Sequence, residues 1–129
     1  MVFEIKLASE TKGRGMFATQ FIPKDTLLDV AHLILVREKE YWDKVQNTVL
    51  AKYVFQWEEP EEPEPDSETS AIAMSPFEFC NHSFCPNVTY HMDYETKTIH
   101  FMSIRDIQPG EEMLIEYNDP ENIWFDIEE

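Results

Sequence analysis

The sequence is poor in cysteine and in basic residues, and each scarcity excludes a class of protein. With 2 cysteines in 129 residues, Cys80 and Cys85, a disulfide scaffold is excluded. Lys and Arg total 10 against 26 Asp and Glu, and the net charge is −16. This charge argues against direct nucleic-acid binding and against an anionic membrane surface as the main partner. No apolar run reaches the length of a membrane span.

The start of the chain does not have the shape of a signal peptide, since Glu4 interrupts its apolar residues. We therefore expect a cytoplasmic protein, or a nuclear one if the source is eukaryotic. Apolar residues make up 43% of the chain and aromatic residues 13%. That is enough for one core, so we expect a single domain over residues 1–129.

The acidic residues concentrate in two segments of the chain. Residues 58–70 hold seven acids and residues 116–129 hold six, and neither segment contains a base. The rest of the chain carries 13 acids and 10 bases, so it is nearly neutral. Because residues 58–70 also contain three prolines, we predict an acidic Pro-rich loop inside the domain. This loop either only increases solubility or guides a basic partner.

Apolar periodicity predicts a mainly β domain. Short apolar stretches bounded by turn residues predict strands at residues 2–7, 16–21, 26–36, 71–74, 88–92, 98–104 and 113–117. Between the third and fourth stretches, Trp42, Val45, Val49 and Tyr53 are spaced as on one face of a helix. We therefore predict one amphipathic helix over about residues 39–55.

Residues 79–87, F-C-N-H-S-F-C-P-N, show no clear period. Asn and His placed among apolar neighbours need hydrogen-bond partners, either a bound polar ligand or the protein's own backbone. Two other interpretations stay open at this point. One is a zinc site, although the spacing differs from the usual paired knuckles, formed by Cys80, His82, Cys85 and His91. The other is a Cys80 nucleophile with His82 as its base, for which no third orienting group is evident.

Four motifs, taken in order, resemble those of the SET-domain protein methyltransferases. They are K-G-R-G-M-F-A at 12–18, N-H-S-F-C-P-N at 81–87, G-E-E-M at 110–113 and E-Y-N at 116–118. The second motif, followed at this distance by the third and by a tyrosine, is the most specific part of the match. The chain departs from the family pattern at Phe84, where a cysteine is usual, and at Ile115, where Phe or Tyr is frequent.

The resemblance implies a SET-domain fold, with short curved sheets, a C-terminal pseudoknot and one inserted helix. It implies transfer of a methyl group from S-adenosylmethionine to a lysine ε-amine of a basic protein with an accessible lysine. The alternative is a non-catalytic SET-like binding module for a basic protein partner. We expect no metal and no membrane partner, and either a monomer or a homodimer, as in the family's minimal members.

The resemblance also implies roles for individual residues. Tyr117 is expected to be catalytic, because its hydroxyl would orient the amine and the transferring methyl group. Residues expected to bind the donor are Lys12, Gly13, Arg14, Gly15, Asn81, His82 and Trp124. Residues expected to line the lysine channel are Tyr53, Tyr90, Ile115 and Phe125. The tail 118–129 is expected to close the site, and its acids to attract a basic substrate.

Overall fold

Two sheets form the fold in the computed structural model, which describes residues 2–57 and 61–116. The strands are β1 (Phe3–Ser9), β2 (Gly13–Ala18), β3 (Leu27–Arg37), β4 (Phe55–Gln56), β5 (Glu68–Ala73), β6 (Asn81–His82), β7 (Val88–Asp93), β8 (Thr98–Ser103) and β9 (Glu112–Ile115). Their order is β1-β2-β9-β6 in one sheet and β4-β5-β3-β8-β7 in the other. In the described part of the chain the strand pairs are antiparallel, except for the parallel pair β6 and β9.

The mainly β class predicted from the sequence is confirmed, with shifted boundaries. The seven predicted strands correspond to β1, β2, β3, β5, β7, β8 and β9. β2 begins at Gly13 rather than at residue 16, because Gly13 and Gly15 already pair with β1. The periodicity missed β4 and β6, which have two residues each, since a two-residue strand cannot show an alternating pattern.

The core lies between the two sheets and contains many aromatic rings. Phe77 is fully buried and stacks on Phe101 of β8, with ring centroids 5.1 Å apart. Its edge meets Phe3 of β1 at 5.2 Å, so one side chain contacts both sheets. Met16, Ile99, Ile107 and Met113 are fully buried in the same cluster. This packing fixes β2 and β9, which carry two of the motifs, against the larger sheet.

The amphipathic helix predicted for residues 39–55 is wrong in length and in kind. The structure has a three-residue helix α1 (Glu38–Glu40), a π-helical turn (Tyr41–Val45) and a 3-10 turn (Val49–Lys52). Thr48 interrupts the helix, because its backbone is extended and its hydroxyl accepts a hydrogen bond from the Leu50 N–H. The predicted apolar face is also only partly buried: Tyr53 packs against Phe79, whereas Trp42 and Val49 are exposed, as is Leu50 beside them.

The acidic loop is shorter than the predicted 58–70, because Glu68–Ala73 forms β5 and pairs with β3. Part of the loop is tied to the domain, since the Asp66 carboxylate lies 3.1 Å from Lys39 Nζ and 3.4 Å from Arg37 Nη1. Both contacts lower the pKa of Asp66. Residues 61–66 are exposed, which agrees with a solvated loop.

Besides Met1, two parts of the chain lie outside the described residues. They are residues 58–60, within the acidic loop, and residues 117–129, which contain Tyr117, Trp124, Phe125 and the predicted closing tail. Within the described ranges, we find no helix that is both long enough and apolar enough to cross a membrane.

Candidate active site

Strand β9 brings together two motifs that are far apart in the sequence. It pairs with β2 on one edge, where Phe17 lies opposite Glu112. On its other edge it pairs in parallel with β6, where Asn81 lies opposite Leu114 and His82 opposite Ile115. The N-H-S segment therefore lies beside the G-E-E segment, and the K-G-R-G turn reaches the same place from the other side.

Asn81 joins the three segments through its side-chain amide. Its Nδ2 donates to a carboxylate oxygen of Glu112 at 2.8 Å and to the Arg14 carbonyl at 3.3 Å. Two of the predicted donor-binding residues, Arg14 of the first motif and Asn81 of the second, are thus in contact. Glu112 itself was not predicted as a site residue, although the G-E-E motif contains it.

The two glycines of K-G-R-G meet different requirements. Gly13 has φ +75°, a left-handed conformation that favours glycine, and has open space around it. A Cβ at Gly15 would lie 2.5 Å from Glu112 Oε2 and 2.9 Å from Asn81 Nδ2. Gly13 therefore serves the turn, whereas Gly15 leaves room for the contact between Asn81 and Glu112.

Lys12 and Arg14 leave the same turn in different directions. Lys12 Nζ lies 3.9 Å from Glu112 Oε1, with side chains only 13% and 17% exposed respectively. The Arg14 guanidinium lies over the Phe79 ring, 4.7 Å from its centroid, a cation–π contact. Phe79 in turn packs against Tyr53 at 6.0 Å. Tyr53, predicted for the lysine channel, therefore packs beside the residues predicted to bind the donor.

His82 is buried, and its ring meets the edge of the Phe84 ring at 4.4 Å. Phe84 itself is 54% exposed, although it follows directly on a buried segment. The backbone there is held in place, because Ser83 N–H donates to the Ile115 carbonyl and Cys85 N–H to the Ser83 hydroxyl. An exposed aromatic ring is thus fixed beside the predicted donor site. The signal in the sequence that points to Phe84 is its departure from the family pattern, which usually has a cysteine at this position.

Asn87, the last residue of the same motif, fixes β9 rather than facing the site. It is fully buried, and its Oδ1 accepts from Leu114 N–H at 2.7 Å. Its Nδ2 donates to the Glu112 carbonyl at 2.8 Å and to the Glu111 carboxylate at 3.0 Å. Both ends of the amide therefore bind β9 and the turn before it.

Tyr90 and Ile115 lie beside the end of β9, from which the chain continues to Tyr117. The Tyr90 hydroxyl donates to the Glu116 carbonyl at 3.3 Å, and its ring packs on Phe55 at 5.0 Å. Burial, and after it the Glu116 carboxylate, raise the pKa of Tyr90 to about 12. Tyr90 is therefore protonated at neutral pH. Ile115 is buried in β9.

The geometry of the described residues does not support the two other interpretations of residues 79–87, a Cys80 nucleophile and a zinc site. Cys80 is buried, and burial raises the pKa of its thiol, so it is not suited to act as a nucleophile at neutral pH. Cys85 is exposed. Across residues 2–57 and 61–116, no three His, Cys, Asp or Glu side chains are grouped so that they could hold a metal ion.

Comparison with known proteins agrees with this geometry. The family model described as "SET domain" matches residues 13–118. The chain belongs to the SET-domain family. It is 31% identical over 120 residues to a Schizosaccharomyces pombe histone-lysine N-methyltransferase described as specific for lysine 37 of H3. That alignment covers 93% of this chain and 75% of the relative.

A solved structure has the same SET-domain fold. It belongs to a Plasmodium falciparum protein described as a candidate histone methyltransferase, with a TM-score of 0.65, 18% identity and 96% of each chain covered. The family and the fission-yeast relative make this chain a protein-lysine N-methyltransferase, with a protein as its substrate. SET-domain methyltransferases in general use S-adenosylmethionine.

Proposed function

We propose that this SET-domain enzyme takes its methyl group from S-adenosylmethionine and transfers it to a lysine ε-amine of a basic protein. The observation that supports this most directly is the meeting of K-G-R-G, Asn81 and Glu112 around one point. The three segments are far apart in the sequence, and packing of the core alone does not require their polar groups to converge.

The described residues offer what the donor requires. The space at Gly15 and the Asn81 side chain suit the polar amino-acid portion of S-adenosylmethionine. The ring of Phe84 beside His82 suits a flat purine. When bound, S-adenosylmethionine supplies a methyl group activated by its sulfonium. From the family motif we also assign Trp124 to the donor side.

The acceptor side is assigned to the end of β9. Tyr117 would orient the lysine amine, while Tyr90 and Ile115 form part of the channel wall, with Tyr53 and Phe125 as further candidates. The nucleophile must be a neutral amine, and a wall of buried side chains lowers the pKa of a lysine by desolvating its charged form. Tyr90, with a pKa of about 12, does not remove the proton. We assign its loss to water.

A basic substrate fits the charge of the chain, which is −16 overall. Because the fission-yeast relative is described as specific for a lysine of histone H3, we propose an H3 tail as the first substrate to test. A histone would be modified in the nucleus, and a ribosomal protein or translation factor in the cytoplasm. A monomer or a homodimer is proposed, and light scattering after gel filtration distinguishes the two.

The test is methyl transfer from labelled S-adenosylmethionine to H3 and to a panel of basic proteins, with methyl-lysine mapped by mass spectrometry. Tyr117→Phe is the control that keeps the ring and removes the hydroxyl. We expect transfer by the native enzyme to exceed that of Tyr117→Phe by about 100-fold or more. No transfer above this variant on any protein would refute the proposed reaction.

The proposed attraction of a basic substrate by the acids of residues 118–129 needs a separate experiment. We expect KM for a basic peptide to rise with salt, because screening weakens the attraction. Replacing Glu121, Asp126, Glu128 and Glu129 by their amides should also raise KM. The control is the amide set at Glu61, Glu62 and Glu64 in the exposed acidic loop, compared with a test set reduced to Glu121, Glu128 and Glu129 so that both remove three charges. An unchanged KM in the first set would leave these acids a role in solubility alone.

A further inference from the structure

The Glu112 side chain makes its contacts inside the protein rather than with solvent. One carboxylate oxygen lies 2.8 Å from Asn81 Nδ2 and the other 3.9 Å from Lys12 Nζ. The side chain is 17% exposed. A carboxylate in such surroundings needs a positive partner and hydrogen-bond donors to offset the loss of water, and Lys12 and Asn81 supply them.

These contacts decide which way the Asn81 amide points. An amide group has two N–H hydrogens on one side and an acceptor oxygen on the other. Nδ2 lies between two acceptors, the Glu112 carboxylate and the Arg14 carbonyl. The opposite orientation would place Oδ1 against two oxygens, which is repulsive. Both hydrogens of the amide are thus engaged within the protein.

As a result, Oδ1 is the Asn81 atom left for a ligand, because among the described residues none donates a hydrogen bond to it. Oδ1 can only accept a hydrogen bond. The ligand group it recognises must therefore be a donor. Of the polar groups on the amino-acid portion of S-adenosylmethionine, the ammonium donates and the carboxylate only accepts.

We propose that Glu112 is a positioning residue that holds Asn81 with its Oδ1 toward the ligand, so that Asn81 selects the donor's α-ammonium. This inference rests on the proposed function. Lys12 contributes to the same positioning, since its positive charge offsets the negative charge of Glu112. Without it, the negative charge of Glu112 would disfavour binding of a donor that itself carries a carboxylate.

Gly15 provides an independent indication that the arrangement is specific. A Cβ at this position would collide with both Glu112 Oε2 and Asn81 Nδ2. The backbone conformation of Gly15 is not left-handed, so what disfavours a side chain here is space: Glu112 and Asn81 would have to move to admit one. The absence of a side chain here preserves the hydrogen bond between Asn81 and Glu112.

The experiment compares two ligands by calorimetry, S-adenosylhomocysteine and its analogue without the α-amino group. We expect the native enzyme to bind the first at least about tenfold more tightly, as for one hydrogen bond to a charged group. In Glu112→Ala the Asn81 amide is free to turn, and the preference should fall to about twofold. Glu112→Gln should keep most of it, since its own oxygen still accepts from Asn81.

Three further measurements separate positioning from mere stability. Glu111→Ala is the matched control, because Glu111 binds Asn87 and not Asn81; it should lower stability and leave the preference intact. At saturating donor, kcat of Glu112→Ala should stay within about twofold of native while KM for the donor rises about tenfold. Asn81→Ala and the double variant with Glu112→Ala should show the same small preference, since Glu112 acts through Asn81.

The outcomes distinguish the two proposals. If the native enzyme binds neither ligand, the proposed donor is wrong and the positioning role falls with it. If it binds both and Glu112→Ala keeps the native preference, only the positioning role is overturned. Should Glu112→Ala fail to fold, Glu112→Met fills the same space without an acceptor and replaces it in every comparison.

Discussion

Two regions of this enzyme depart in opposite ways from the rule that apolar side chains are buried and polar ones exposed. In residues 80–87 with 111–115, called here the crossing, polar side chains are buried, among them His82, Ser83 and Asn87. In residues 38–52, called here the insert, apolar side chains are exposed, among them Trp42, Val49 and Leu50. The crossing contains two residues of strand β6, and the insert begins with a three-residue helix.

The difference shows what determines each region. The crossing is fixed by hydrogen bonds between side chains and the backbone of β9, such as those of Asn87. These bonds are directional, so they specify one arrangement. Within the part of the chain that the structure describes, the insert places three large apolar side chains in water, so little of their burial energy stabilises it. Substitutions should therefore be costly in the crossing and cheap in the insert.

Asn87→Ala should give the largest effect. It removes the buried side-chain partner of the Leu114 N–H and of the Glu112 carbonyl. The Glu111 carboxylate also loses Asn87 but keeps its contacts with the Gln108 N–H and Arg105. We expect the free energy of unfolding to fall by about 4 kcal/mol, measured by urea denaturation. Asn47→Ala, at an exposed position of the insert, should change it by less than about 0.5 kcal/mol. Similar values for the two would contradict the comparison.

Glu78, in a second 3-10 turn (Pro76–Phe79) that leads into the crossing, should make stability depend on pH. Burial raises its pKa to about 8, against a partial offset from the Ala73 N–H that it accepts. The folded state therefore holds this proton over a range where the unfolded state, near 4.5, has lost it. Glu78 should not lower stability below pH 4.5, and stability should fall as pH rises toward 8, by about 3 kcal/mol once the partial exposure of the side chain to solvent is allowed for.

Glu78→Gln is the test of this pH dependence. The amide cannot ionise, so most of the decrease in unfolding free energy between pH 5 and 8 should disappear. The control is Glu61→Gln in the exposed acidic loop, which should keep the native slope. An equal slope in native protein and Glu78→Gln would assign the pH dependence to other groups.

Substitution of Gly13 and Gly15 should separate two causes of destabilisation, steric crowding and backbone strain. Gly15→Ala places a Cβ against Asn81 and Glu112, and we expect a loss of about 2 kcal/mol from overpacking. Gly13→Ala meets open space but keeps φ near +75°, so it should cost about 1 kcal/mol through strain alone. Unfolding curves measure both costs. Gly15→Ala should also weaken S-adenosylhomocysteine binding more than Gly13→Ala does, and the reverse order would count against a crowded Gly15.

A valine pair gives the most direct comparison, and its exposed member should show a very small effect. Val49 in the insert is 64% exposed, whereas Val88, which directly follows the crossing, is 1% exposed. Val49→Thr should change stability by less than about 0.5 kcal/mol. Val88→Thr buries a hydroxyl and should cost about 1–3 kcal/mol. If both were equally costly, the insert would be packed in a way that its exposure does not suggest.

Much of the fold was predictable from residue order, because alternating patterns and turn residues act over short distances. The seven longer strands were found in this way, and the motifs indicated the family. The predicted helix was wrong because its apolar spacing is real, whereas Thr48 interrupts it and Trp42 and Val49 stay exposed. β6 was missed because a partner, β9, creates it, and the partner lies some thirty residues away.

The site was only partly predictable, because its side-chain contacts also join parts of the chain that are far apart in the sequence. Asn81, Gly15 and Arg14 could be proposed from their motifs, and the structure brings them within contact of one another. The roles of Glu112, Lys12 and Phe84 depend on which groups their side chains meet. No spacing in the sequence encodes that Lys12 faces Glu112 or that Phe84 packs against His82.

By itself, the sequence determined the mainly β class, the family and the identity of the polar residues, since these depend on residue type and local order. Only the tertiary structure decided the direction in which those residues point. The Asn81 amide has two chemically different sides, and long-range pairing of β6 with β9 places the acceptors of Glu112 and Arg14 on one of them. Orientation is a property of the surroundings, and those surroundings come from parts of the chain that only folding brings together.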